Sequence, residues 1–162
     1  MARTIALRLL TGAPRTRSQL GEAMARRDVP EDVAERVLDR FTEVGLIDDA
    51  EYARMLVRTR LESKGLARRA LAVELRRKGV DPETAAEALA EVDPESEEAA
   101  ARVLLRKRWR DDLDPDVQAR RMLAMLGRKG YPSGLSLRLI AEMRDDGARA
   151  DTDWRSDVDV DE

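Results

Sequence analysis

The stretch Leu71-Ala72-Val73-Glu74-Leu75-Arg76-Arg77-Lys78-Gly79-Val80-Asp81-Pro82 contains the end of one helix and the start of the next. Leu71 and Leu75 stand four apart and share a helical face. Gly79 can take the left-handed backbone conformation that closes a helix. Asp81 suits an N-cap, and Pro82 fits the first turn that follows it. The spacing predicts helices over about 67–78 and 84–92.

The same pattern recurs at an interval of 51 residues. Val29, Val80 and Tyr131 each follow a short basic stretch: Arg26-Arg27-Asp28, Arg77-Lys78-Gly79 and Lys129-Gly130. Stepping by the same interval aligns Leu20, Leu71 and Met122, then Met24, Leu75 and Leu126. Leu38, Leu89 and Ile140 fall into register downstream, as do Phe41, Val92 and Met143. A period of this size implies stacked helical units, each too small to bury a comfortable core without neighbours.

Each copy divides into three helices. In the second, Gly45 ends the preceding helix, Asp48 is placed to cap the next, and Glu51 three residues on completes a capping-box pattern. Ile47 and Tyr52 have the spacing of a hydrophobic staple across that cap. The first copy begins with a helix over about 4–10, broken by Thr11-Gly12-Ala13-Pro14. The third begins over about 97–109, with a longer connection at 111–115, and Asp93-Pro94-Glu95 is the hinge before it. The expected organisation is all-α: an elongated or curved tandem array of three-helix units at 1–47, 48–93 and 94–144, followed by an acidic tail at 145–162.

Composition narrows the chemistry. The 162 residues include no Cys and no His. That excludes disulfides, thiol nucleophiles, imidazole metal sites and His-dependent relays. Asp48-Asp49-Glu51 resembles a carboxylate metal site in spacing, but the capping pattern accounts for it and no further ligands are near in sequence. Gly127-Arg128-Lys129-Gly130 lacks the setting and spacing of a phosphate loop. The reading is a protein that is not an enzyme and holds no cofactor or metal. No apolar run approaches the ~20 residues of a membrane span, and no secretory leader follows Met1. A cytoplasmic monomer without membrane contact is expected.

The net charge of −3 conceals a division. Residues 145–162 carry eight acidic and two basic side chains, a net −6, so residues 1–144 carry +3. The acidic stretch has one large apolar residue, Trp154, and its composition predicts disorder. It is either a solvated tail or an acidic mimic competing for the chain's own basic surface. In the body, cations gather in clusters that exceed what local pairing requires. The candidate contacts are Arg58, Arg60, Arg68, Arg69, Arg76, Arg77 and Lys78 in the second unit. In the third they are Arg106, Lys107, Arg108, Arg120, Arg121, Arg128 and Lys129. Such clusters suit phosphates or acidic side chains of a partner equally. Trp109 among them is expected to pack rather than to stack on a base.

Gly45-Leu46-Ile47-Asp48-Asp49-Ala50-Glu51-Tyr52-Ala53, then Arg60, then Ala72-Val73-Glu74-Leu75-Arg76-Arg77-Lys78-Gly79-Val80 resembles the RecX family of bacterial recombinase regulators. The likeness extends through Arg17-Ser18-Gln19-Leu20 and Arg128-Lys129-Gly130-Tyr131, covering about residues 4–144. This chain departs from the family in having Leu46 where an aromatic usually follows the glycine, and only Phe41 as an aromatic in its first repeat. The resemblance implies tandem three-helix units that lodge in the groove of a RecA recombinase filament on single-stranded DNA. It further implies inhibition of ATP hydrolysis, strand exchange and co-protease activity. Two other functions fit the residues: sequence-independent DNA binding, and a helical scaffold for another protein partner.

Overall fold

The computed structural model describes the backbone of residues 1–158 and the side chains of residues 1–150. Among the described residues every regular element is a helix. The first unit holds α1 (Ala2–Gly12), α2 (Arg17–Ala25) and α3 (Glu31–Glu43). The second holds α4 (Asp49–Lys64), α5 (Arg68–Arg77) and α6 (Pro82–Ala90). The third holds α7 (Pro94–Arg108), α8 (Pro115–Arg128) and α9 (Ser133–Val158).

Each unit has its own core. Leu20, Met24, Leu38 and Phe41 fill the first, and Tyr52, Leu56, Leu71, Leu75 and Val80 the second. Leu105, Met122, Leu126, Tyr131, Leu139 and Ile140 fill the third. The 51-residue register is therefore a register of core positions: Leu20, Leu71 and Met122 are all buried, as are Met24, Leu75 and Leu126. Trp109 packs, half-buried, against the third core.

Asp48 caps α4 by accepting from the Glu51 amide at 2.9 Å, but the expected box is only half formed. Glu51 turns instead to Arg54 and Arg58, which lie one and two turns along the exposed face and offer charge in return. The expected staple is absent as well. Ile47 packs into the first core and Tyr52 into the second, because the chain crosses between units at this cap. The complete capping box lies at α2, where Thr16 accepts from the Gln19 amide and Gln19 accepts from the Thr16 amide, both at 3.1 Å.

One contact, used twice, joins the units. The N-terminus of a middle helix docks on the C-terminal turn of the next middle helix, so the unpaired groups at the two helix ends satisfy each other. At the first joint the Thr16 hydroxyl donates to the Lys78 carbonyl at 2.6 Å, and the Arg17 amide donates to Asp49 at 2.9 Å. At the second, the Ala67 amide donates to the Lys129 carbonyl at 2.9 Å. Thr16 and Ala67 are 51 apart, and so are Lys78 and Lys129. The receiving turn ends in Gly79 (φ +78°) or Gly130 (φ +90°). A β-carbon on Gly79 would strike the Ser18 side chain, and one on Gly130 would lie 2.6 Å from the Ala70 amide nitrogen. The equivalent residue of the first unit is Asp28, also left-handed at φ +58°.

α9 runs past the third core and carries the chain into the acidic segment, with its described backbone reaching Val158. Extending an established helix is far easier than nucleating one, and Arg149 lies 4.0 Å from Asp146 along the exposed face. Every side chain from Arg144 to Ala150 is exposed. Residues 159–162, and with them the end of the expected tail, lie outside the described residues.

Candidate functional site

The second joint opens on one side into a cleft of about 650 Å³ between α5 and α8. Its cations are Lys64, Arg69, Arg77, Lys78 and Arg128, and its one acidic side chain is Glu74. Glu74 is already neutralised by Arg60 at 2.8 Å. Among the described residues, none of the five cations has an ion-pair partner. The repeat geometry assembles them. Arg77 and Lys78 stand at the C-terminal end of α5 and Arg128 at that of α8, where exposed carbonyls favour positive charge. Arg69, two residues from the docking point at Ala67, lines the same space. The close approach at Gly130 brings the α5 and α8 cations together.

Four of the candidate contacts thus converge: Arg69, Arg77, Lys78 and Arg128. Lys107, Arg108 and Lys129 line a second groove on the other side of the joint, between the end of α4 and α7. Arg58, Arg60 and Arg68 are engaged within the fold, with Glu51 at 3.5 Å, Glu74 at 2.8 Å and Glu97 at 2.7 Å. Arg76, Arg106, Arg120 and Arg121 are exposed and line neither cleft. Sequence reasoning missed Lys64, which borders both clefts. The available signal was its place before Gly65, a basic residue at a glycine-closed helix end.

Two polar clusters hold this region. The Tyr131 hydroxyl, buried, donates to the Gly65 carbonyl at 2.7 Å, and the Lys129 ammonium donates to the Lys64 carbonyl at 3.1 Å. Burial and nearby Glu97 push the Tyr131 pKa upward, so it remains a donor throughout the neutral range. Glu97 is itself buried, and its charge is met by Arg68. Farther along α7, Glu98 sits between Arg138 and Arg102, whose hydrogen bonds lower its pKa from 4.5 to about 2.

A cleft of unpaired guanidinium and ammonium groups can hold phosphates or carboxylates, the guanidinium groups in bidentate fashion. No aromatic side chain lines it, so it offers charge to a backbone rather than a platform to bases. Among the described residues no group of acidic side chains is arranged to hold a metal ion. None of their helices is long and apolar enough to cross a membrane.

Three serially joined three-helix units define an all-α helical-repeat protein with a cationic cleft at one joint. Family models assign the units: residues 2–41, 48–89 and 95–140 match the first, second and third three-helix domains of RecX. The chain belongs to the RecX family. It is 51% identical over 143 residues to the regulatory protein RecX of Thermobifida fusca, covering 87% of this chain and 77% of that one. Against the RecX of Streptomyces coelicolor it is 50% identical, covering 87% and 76%. The crystal structure of RecX from Lactobacillus salivarius superposes with a TM-score of 0.79 at 23% identity, over 88% of this chain and 94% of that one. A second crystal structure of a regulatory protein RecX gives 0.77 at 26% identity, over 85% and 70%.

Proposed function

We propose that this protein binds a RecA-type recombinase filament on single-stranded DNA and inhibits its ATP hydrolysis, strand exchange and co-protease activity. It acts by occupancy, without a catalytic step, in the cytoplasm and as a monomer. Successive units bridge neighbouring recombinase protomers and hinder the motion coupled to ATP turnover. The observation that carries this reading is the cleft at the second joint, where Lys64, Arg69, Arg77, Lys78 and Arg128 converge without acidic partners in a chain of the RecX family. Such a site suits a filament that presents phosphates and acidic side chains together.

The test is DNA-dependent ATP hydrolysis by recombinase with substoichiometric protein added, paired with co-sedimentation on filaments. Inhibition is expected, with about tenfold more protein needed when Arg69, Arg77 and Arg128 are changed together to Glu. Changing Arg120 and Arg121 to Glu, outside the cleft, is expected to shift the requirement less than about twofold. An intact protein that neither inhibits nor co-sediments overturns the proposal. The absence of acidic partners also favours a second reading, binding to bare DNA irrespective of sequence. Affinity for naked DNA equal to that for filaments, with a steep salt slope, would select it.

A further inference from the structure

The second groove at the joint differs in kind from the cationic cleft. It measures about 660 Å³ and has an apolar floor of Leu61, Val103 and Leu104, with Val103 left 45% exposed. Its rim carries Lys64, Lys107, Arg108 and Lys129 against one acid, Glu62. An apolar floor within a cationic rim suits a peptide that alternates acidic with apolar side chains. The chain contains such a segment: Asp151-Thr152-Asp153-Trp154-Arg155-Ser156-Asp157-Val158-Asp159-Val160-Asp161-Glu162 carries net −5 together with Trp154, Val158 and Val160.

We infer that this groove is the docking site of the chain's own acidic C-terminal segment, which exchanges between the extension of α9 and the groove. The segment leaves the fold at the right place. Gly147 and Ala148 line one cleft with Trp109 and Arg110, directly after the rim residues Lys107 and Arg108. The groove follows α7 back from Arg108 to Ser96, about 18 Å at helical rise. The residues after Gly147 span up to about 50 Å when extended, which is ample. Leaving the helix costs little. Asp145-Asp146-Gly147 places a weak helix former at the branch point, and the acids beyond it gather at the C-terminal end of α9, where the helix dipole disfavours negative charge. Tethering gives the segment an effective concentration in the millimolar range. Docked, it covers four cations of the joint, so a polyanionic partner must displace it. The docking is independent of which partner that is; only its regulatory meaning rests on the proposed function.

The absence of Cys allows a single nitroxide label through Ser156→Cys in the full-length chain, read by proton relaxation in the labelled-nitrogen spectrum. Broadening is expected at Leu61, Lys64, Ala99 and Ala100, the part of the groove far from the end of α7. It should vanish in ~0.5 M salt, where charge is screened, or with Lys107→Glu and Arg108→Glu. Broadening confined to α9 and the turn at Trp109 overturns the inference. A second measurement neutralises the six acids of 151–162 to their amides. Affinity for a single-stranded oligonucleotide at low salt should rise about fivefold, and this gain should disappear in the Lys107→Glu, Arg108→Glu background. A gain that survives there would be a net-charge effect and would count against docking. Neither measurement contains recombinase, so a failure to inhibit recombinase leaves both outcomes readable.

Discussion

The two joints are built from the same repeat positions but hold in different ways. The first is polar: a threonine hydroxyl on a carbonyl and a backbone amide on Asp49, beside an open crevice of about 200 Å³ next to Leu10, Leu46 and Tyr52. The second shares its interior. Ala67 of the second unit belongs to the third core, the Tyr131 hydroxyl is buried on the Gly65 carbonyl, and buried Glu97 pairs with Arg68. The capping box explains the divergence. Gln19 occupies the Thr16 amide, so the hydroxyl has to reach Lys78, whereas Ala67 has no cap and presents its amide directly. One period of sequence thus specifies where units meet, while local capping decides what they meet with.

The largest test of that difference is a β-carbon at the receiving glycines. Gly130→Ala should cost about 3 kcal/mol or more in urea unfolding, because left-handed strain is joined by a clash with a backbone nitrogen. Ala70→Gly should not relieve it. Gly79→Ala meets the Ser18 side chain instead, so Ser18→Gly should restore part of the loss. Gly45→Ala, left-handed but in open space, should cost only about 1 kcal/mol. Equal costs at all three would erase the distinction between joints and simple turns.

Next comes Tyr131→Phe, which leaves the buried Gly65 carbonyl without its donor. A loss of about 1–2 kcal/mol is expected, read as a lower thermal midpoint and faster amide exchange across α7–α9 with α1–α3 unaffected. At the first joint, Thr16→Ala removes both a cap and a bridge and should cost about 1 kcal/mol, while Thr16→Ser should stay within about 0.5. The smallest effect is electrostatic. Glu98 is held at about pKa 2 against an ordinary 4.5, so its contribution to the third unit is complete above pH 4.5 and fades as pH falls towards 2. Its carboxyl resonance should titrate near 2 and move towards 4.5 in Arg138→Ala. Glu98→Gln should flatten the acid loss of stability over the same window.

The architecture was legible in the sequence because core side chains recur at one interval, and Leu71, Leu75 and Gly79 carry the signal of a buried face and a closed helix end together. Helix ends shifted by a few residues: the helix predicted over 84–92 runs Pro82–Ala90, since Pro82 occupies the first turn itself. The staple at Ile47 and Tyr52 failed because local spacing does not reveal that the chain changes cores between them. The candidate site was legible only in part. Arg69, Arg77 and Arg128 were visible as charge, but their convergence depends on a docking contact between residues far apart in sequence. The engagement of Arg68 by Glu97, 29 residues away, was hidden for the same reason.

Asp28 sets the first unit's turn apart. At this repeat position the later units carry glycine, where a β-carbon would meet Ser18 or Ala70 of the helix docked there; the first unit makes the same left-handed twist with an exposed aspartate. Glycine at the two later turns is therefore a demand of the joint rather than of the turn, since the backbone closes α2 the same way with a full side chain in place.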